Sequence, residues 1–311
     1  MTFEDFKEEW NNDSGVISAR TSGSTGNPKL IELDKAFVKE SAVRTINFFG
    51  LNSSSRLHSC VGADFIGGKM MAVRSFVTDC HFTWETPSNR PLERMSGNDK
   101  LTLIALVPSQ MIHILENLDR MPEIDNFLIG GSSIPRKLRE AISEAGLQAW
   151  ESYGMTETAS HIALRKIEKD EGWFEALPGI TLASDERGCL VIKFENGIKV
   201  TTNDNVIFKD SRHFRITGRA DNVIITGGKK VNPEEIENKL EDLFHGDILL
   251  TGRDDDKWGK RLVLRVEGNY DAAERTGIIS EMKKRLERWE MPKEIEWETA
   301  LERTANGKKK R

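Results

Sequence analysis

Thr21-Ser22-Gly23-Ser24-Thr25-Gly26-Asn27-Pro28-Lys29 is the stretch of this chain best equipped for chemistry. Its two glycines let the backbone approach a ligand closely, its hydroxyls can donate to anionic oxygens, and Lys29 closes the run with a cation. A strand-like segment, Val16-Ile17-Ser18-Ala19-Arg20, leads into it. The composition is that of a phosphate cradle. The spacing G-x-x-x-x-G-K-[ST] is absent, which sets aside P-loop kinases and GTPases. Taken alone, the same composition also suits a Ser/Gly surface turn.

Three further segments follow in order: Tyr153-Gly154-Met155-Thr156-Glu157-Thr158, Phe214-Arg215-Ile216-Thr217-Gly218-Arg219-Ala220-Asp221, and Arg303-Thr304-Ala305-Asn306-Gly307-Lys308. Together with the first loop they resemble the motifs of the adenylate-forming superfamily of acyl-CoA synthetases, peptide-synthetase adenylation domains and luciferases. The resemblance implies carboxylate activation. A carboxylate oxygen attacks the α-phosphorus of ATP, pyrophosphate leaves, and a thiol then takes the acyl group from the adenylate. A carboxylate is already ionised at neutral pH, so positioning and electrostatics must carry the first step.

Roles follow from that resemblance, residue by residue. Thr21, Ser22, Gly23, Ser24, Thr25, Gly26 and Lys29 would hold the β- and γ-phosphates. Glu157 would ligate Mg2+, a cation that prefers carboxylate and phosphate oxygens. Thr156 would touch the α-phosphate and Tyr153 would lie against adenine. Asp204 and Arg219 would bind the ribose, although Asn203 stands where the family usually has glycine. Asp221 would be the hinge, and Lys308, on a mobile lid, would bridge the carboxylate and α-phosphate oxygens as the catalytic cation. Gly227, Gly228, Lys229 and Lys230 would line the path of CoA. By composition alone Arg219-Ala220-Asp221-Asn222 is a polar turn, Gly227-Gly228 a hairpin turn, and Lys308 part of a solvated basic tail.

Within the superfamily, Ser152 to Ser160 is most similar to the o-succinylbenzoate–CoA ligases of menaquinone biosynthesis. A dicarboxylate needs a cationic contact for its remote carboxylate. Lys69 and Arg74, after Asp64-Phe65-Ile66-Gly67-Gly68, are the candidates, with Ser160 on the acyl side; an ordinary surface salt bridge is the competing role. Two other functions stay open: an adenylating enzyme that hands an aromatic or fatty acyl group to a carrier protein, and a degenerate nucleotide-binding protein. The second is disfavoured because the loop, Glu157, Asp204, Arg219 and Lys308 are all retained.

Composition agrees with an intracellular enzyme. The 311 residues are 31% charged with a formal net charge of −5, which gives no basic footprint for nucleic acid. Cys60, Cys80 and Cys189 are odd in number and lack C-x-x-C spacing, which argues against disulfides or a zinc site and for a reducing, cytoplasmic location. The acidic start Met1-Thr2-Phe3-Glu4-Asp5 is no secretory signal, and no apolar run is long enough to insert in a membrane.

The elements that must position these groups alternate. Leu57 to Val61, Leu101 to Leu106, Phe127 to Ile129 and Val223 to Ile225 read as buried strands. Asp34 caps a helix that stops at Gly50, Pro135 opens one that stops at Gly146, and Asn232-Pro233 begins another. The expected fold is α/β with a largely parallel sheet: a large ATP- and acyl-binding domain over 1–220, shortened at its N-terminus, and a small mobile α+β lid over 221–311. Only twenty residues precede the phosphate loop, where the superfamily carries a long N-terminal part. Met1 and the amphipathic Phe3, Phe6 and Trp10 suit a naturally compact protein, and a homodimer partner could complete the acyl enclosure.

Overall fold

The computed structural model describes residues 1–20, 29–95, 99–303 and 309–311. The chain divides into two compact units, Met1–Thr181 with Phe194–Asn196, and Leu182–Lys193 with Gly197–Arg311. The expected hinge, Asp221, lies inside the second of these.

In the first unit, α1 (Phe3–Asn11) precedes β1 (Val16–Arg20), β2 (Leu30–Asp34) and α2 (Lys35–Phe49). Then come β3 (Arg56–Ser59), α3 (Ile66–Thr78), β4 (His81–Trp84), β5 (Lys100–Leu101), β6 (Leu103–Leu106), α4 (Pro108–Glu116), β7 (Glu123–Ile124) and β8 (Phe127–Ile129). The unit continues with α5 (Arg136–Glu144), β9 (Ala149–Met155), β10 (Ser160–Lys166) and β11 (Phe174–Ala176). A sheet of order β11-β10-β9-β8-β6-β3-β4 runs through it. Its strands from β9 to β4 are parallel, while β10 and β11 are antiparallel to their neighbours. The expected α/β class is what the chain adopts, whereas the expected largely parallel sheet is a mixed one, with the parallel strands confined to β9, β8, β6, β3 and β4. Leu103 to Leu106 is buried throughout, as a parallel strand covered on both faces should be.

Helix α2 starts and stops as its sequence dictates. The Asp34 carboxylate accepts from the backbone N–H groups of Ala36 (2.8 Å) and Phe37 (3.1 Å), and Gly50 ends the helix at φ 63°. Its buried face, Phe37, Val38, Ser41, Ala42 and Thr45, brings two hydroxyls to the centre of the unit.

The second unit contains β13 (Cys189–Phe194, ending in the first unit's segment), preceded by β12 (Ile180–Ser184), then β14 (Lys199–Phe208) and β15 (His213–Arg219). These lead to β16 (Ile224–Thr226), β17 (Lys229–Val231), α6 (Pro233–Leu240), β18 (Ile248–Asp255), β19 (Gly259–Glu267), α7 (Ala272–Arg285) and β20 (Glu294–Glu298). β18, β19 and β20 form one sheet and β16 pairs with β17. Ile224, Ile236, Leu240, Phe244, Leu250, Leu264 and Met282 belong to a hydrophobic core made wholly of residues beyond Asp221. Asn232 precedes α6 as expected but makes no capping bond; its amide donates to the Thr217 carbonyl instead (2.8 Å).

Replacing Asp34 with Ala should lower the unfolding free energy by about 1 kcal/mol. Urea denaturation reads this directly; an unchanged midpoint would show that the carboxylate does not hold α2.

Candidate active site

The Tyr153–Thr158 motif occupies the end of β9 and a one-turn 3-10 segment, Thr156–Thr158. Gly154 lies where β10 crosses most closely. A Cβ there would come within 2.1 Å of the Ser160 carbonyl oxygen and 2.4 Å of the His161 Cα. Only glycine fits this crossing. The chain then returns through Ala159 (φ 50°) and Ser160 (φ 87°), two consecutive left-handed residues that are not glycine. Such backbone costs energy and persists only where neighbours fix it.

The fixing groups are hydroxyls. Thr158, fully buried, accepts from the Met155 N–H (3.0 Å) and lies within hydrogen-bond reach of the Met155 (3.0 Å) and Ser160 (2.6 Å) carbonyls. Ser41 of α2 donates to the Ala159 carbonyl at 2.7 Å, and Thr45 one turn later meets His161 Nε2 at 2.9 Å. Thr156 donates to the Arg20 carbonyl at 3.4 Å. Arg20 is the last residue of β1 and also forms a parallel bridge with Phe65, just ahead of α3. One residue thus ties together the entrance of the hydroxyl-rich loop, the Thr156 turn and the start of the Gly67–Arg74 helix. Thr21, Ser22, Gly23, Ser24, Thr25, Gly26 and Lys308 lie outside the described residues; Lys29 is described and exposed.

Other expected groups have specific surroundings. Glu157 is exposed on its turn, a carboxylate open to a hard cation, so the donor fits Mg2+ retaining most of its waters. Tyr153 is 8% exposed with its ring 5.8 Å from Phe174, so it is largely core, and little of the ring remains for adenine. Lys69 is not a surface group and not an unpaired one. Its ammonium is buried, 2.7 Å from Glu9 of α1 and 4.5 Å from the centre of the Phe6 ring. It is spent on anchoring α1, a correction to its expected role at the substrate.

Arg74 is different. It is 1% exposed, its Nη1 reaches only the Met71 sulfur at 3.3 Å, and Nε and Nη2 have no partner among the described residues. Burial pushes its guanidinium down to about 9. Leaving a buried cation unpaired is costly, so this arrangement favours an incoming anion. Burial, and then the Arg74 charge, hold His161 well below its ordinary pKa, so it is neutral.

In the second unit, Asp204 of β14 stands opposite Arg219 of β15. Arg219 donates to Asp204 from Nη1 (3.2 Å) and grips Asp221 with Nε (3.0 Å) and Nη2 (2.9 Å). The Arg219 fork holds the Asp221 carboxyl below its usual range. Gly227 and Gly228, both at positive φ (53° and 76°), make the two-residue turn between β16 and β17. A Cβ on Gly227 would strike Trp258 at 2.8 Å, whereas one on Gly228 would meet nothing within 4 Å. Lys229 and Lys230 are exposed, and Lys257 and Lys293 lie 5.1 and 5.4 Å from the half-exposed Trp258 ring.

Residues 7–184 match the profile of the AMP-binding enzyme family, more than half of the chain. The chain belongs to this family. An AMP-forming acyl-CoA synthetase/AMP-acid ligase II-like protein from Dyadobacter fermentans is 34% identical, with 98% of this chain and 90% of that one covered and a TM-score of 0.65. The 2-succinylbenzoate–CoA ligase of Haemophilus influenzae is 29% identical over 191 residues, 55% of this chain and 42% of that enzyme. Its counterpart in Lactococcus lactis is 23% identical over 316 residues, 94% of this chain and 69% of that one. The chain thus spans under half of the first of these two enzymes and about two thirds of the second. o-Succinylbenzoate CoA synthetase from Bacillus subtilis, solved with its acyl-adenylate, shares the fold with a TM-score of 0.79 at 23% identity.

Thr158, Ser41 and Thr45 were not singled out from sequence; the signal available was a threonine three residues after Met155, the pattern of a side chain closing its own turn. Thr158→Val, nearly isosteric, should cost about 1–3 kcal/mol of stability by leaving its partners unsatisfied. His161 takes up a proton on unfolding, so stability is full above its ordinary pKa of 6.5 and falls as the pH drops below it. His161→Gln should flatten that fall; thermal unfolding across about pH 7 to 5 measures it.

Proposed function

We propose that this protein is an ATP-dependent acid–thiol ligase that activates a carboxylic acid as its acyl-adenylate and passes it to CoA, with o-succinylbenzoate the acid. The observation that supports the reaction is the Thr156–Arg20 link, which joins the Glu157 turn to the strand that opens the hydroxyl-rich loop. No helix among the described residues is long and apolar enough to cross a membrane.

Each half-reaction asks something specific of this chain. In the first, an acyl carboxylate oxygen bonds to the α-phosphorus as the bond to pyrophosphate breaks. Thr156 would face the α-phosphate, the loop hydroxyls and Lys29 the leaving phosphates, and Asp204 with Arg219 the ribose. Lys308 would neutralise charge between the two anions. Bound magnesium, held through Glu157, would neutralise phosphate charge. In the second, a thiol sulfur bonds to the acyl carbon, the carbon–oxygen bond to AMP breaks, and the thiol proton passes to solvent. Gly228, with open space above it, suits a close-passing pantetheine, and Lys229 and Lys230 suit the CoA phosphates. The Arg219–Asp221 fork is the proposed hinge, and the separate core beyond it supports a lid that begins at 221.

Arg74 supports a dicarboxylate substrate. Its two unpartnered donors match a carboxylate's two oxygens. This favours o-succinylbenzoate over a monocarboxylic aromatic or fatty acid.

The test is pyrophosphate release from ATP and magnesium over a panel of mono- and dicarboxylic acids, with and without CoA. Release with o-succinylbenzoate, and thioester only when CoA is added, is expected. Arg74→Met should raise KM for the dicarboxylate about 10–100-fold, the worth of a charge-assisted hydrogen bond, and spare a monocarboxylate. Equal losses on both acids would remove Arg74 from the substrate. Lys308→Ala should abolish adenylation and leave thiol transfer from preformed adenylate, and a bulky residue at Gly228 the reverse. Loss of both steps in either variant would contradict the assignment.

A further inference from the structure

A second group of chemically capable side chains lies at the ends of β3 and β4, apart from the residues assigned above. The strands are parallel and in register, His58 beside Thr83 and Ser59 beside Trp84. Alternation along a strand therefore sets His58 and Cys60 on one face, with Thr83 and Glu85 alongside. One ligating atom from each of His58, Cys60 and Glu85 lies within 4.8 Å of the others. His58 and Cys60 are buried, and Glu85 keeps 22% of its side chain exposed, which leaves a way in from solvent.

The histidine carries the argument. Its Nδ1 is 2.8 Å from the Thr83 hydroxyl, which lies 3.5 Å from the Leu57 carbonyl as a donor. With hydrogen on Nδ1 donating to Thr83, the ring would offer its Nε2 lone pair to a metal. Nε2 has no hydrogen-bond partner among the described residues, although His58 is only 3% exposed, and it faces the Glu85 carboxylate at 3.9 Å. A cation between this nitrogen and the carboxylate would satisfy both groups. The carboxylate is held from behind by the Leu92 N–H (3.0 and 3.2 Å), and the Cys60 carbonyl by the Gln110 amide (2.9 Å). Leu92 takes a left-handed φ of 66° while its side chain is buried, so this loop is shaped at some cost.

We infer that His58, Cys60 and Glu85 bind a divalent transition metal, best suited by zinc, with Thr83 orienting the imidazole. Imidazole, thiolate and carboxylate are the ordinary zinc donors, and three protein ligands leave a fourth position for water. Tetrahedral donors stand about 3.5 Å apart, a modest contraction from the present spacing. The hydrogen bond from the far ring nitrogen to Thr83 is the outer-shell contact that metal-binding histidines usually make. This expectation reverses the reading from cysteine spacing, because Cys60 and Glu85 come from different strands.

The full-length protein, stripped with chelator, should be titrated with Co2+ as an optical probe and then with Zn2+. One Co2+ per chain should bind with a thiolate-to-metal charge-transfer band that Zn2+ abolishes. The band should vanish in Cys60→Ser and survive in Cys80→Ser and Cys189→Ser. Thr83→Val should weaken binding about 10–100-fold with unchanged circular dichroism. No band in the folded wild type, a band that survives Cys60→Ser, or an affinity indifferent to Thr83→Val would each overturn the proposal. The last decides the matter even if Cys60→Ser fails to fold.

Discussion

The close crossing of β9 and β10 at Gly154 is the constraint on which the rest of the first unit turns. With backbone atoms where a Cβ would sit, the two strands can approach only there, and the connection must fold back within a few residues. The return forces Ala159 and Ser160 into left-handed conformations. Those in turn require the buried hydroxyls of Thr158, Ser41 and Thr45 as supports. The cost of strained backbone is met by hydrogen bonds, and the result is a rigid turn that presents Thr156 and Glu157.

Two electrostatic situations coexist in that unit. Lys69 shows an ammonium satisfied in the interior: a carboxylate at 2.7 Å and an aromatic face share its charge. Arg74, five residues further along α3, is buried with no anion beside it among the described residues. The contrast is informative because the same helix and the same degree of burial apply to both. The fold supplies Glu9 for one cation and, among the described residues, no anion for the other, and the neutral state of His161 adds no competing positive charge beside it.

Much of this was legible in the sequence. Val16–Arg20, the helix from Asp34 to Gly50 and the parallel strands were marked by period and punctuation, and the motif order pointed to the family. What depended on long-range packing was not. Nothing local distinguishes Lys69, which is neutralised by a residue sixty positions earlier, from Arg74, which has no such partner among the described residues. Tyr153 is expected against adenine, but strand alternation turns it inward against Phe174. Asn232 has the residue type of a cap, yet its amide is drawn to Thr217. The His58, Cys60 and Glu85 group is created by register between strands, which no spacing rule along one segment can reveal.

The central claim is that the carboxylate oxygen itself attacks the α-phosphorus. Its most direct measurement is the fate of 18O placed in both carboxylate oxygens of the activated acid and followed by mass spectrometry of the products. Attack by the carboxylate, with later cleavage of the acyl carbon–oxygen bond by CoA, predicts one 18O in AMP and one in the thioester. AMP free of label, or label in released phosphate, would contradict the account.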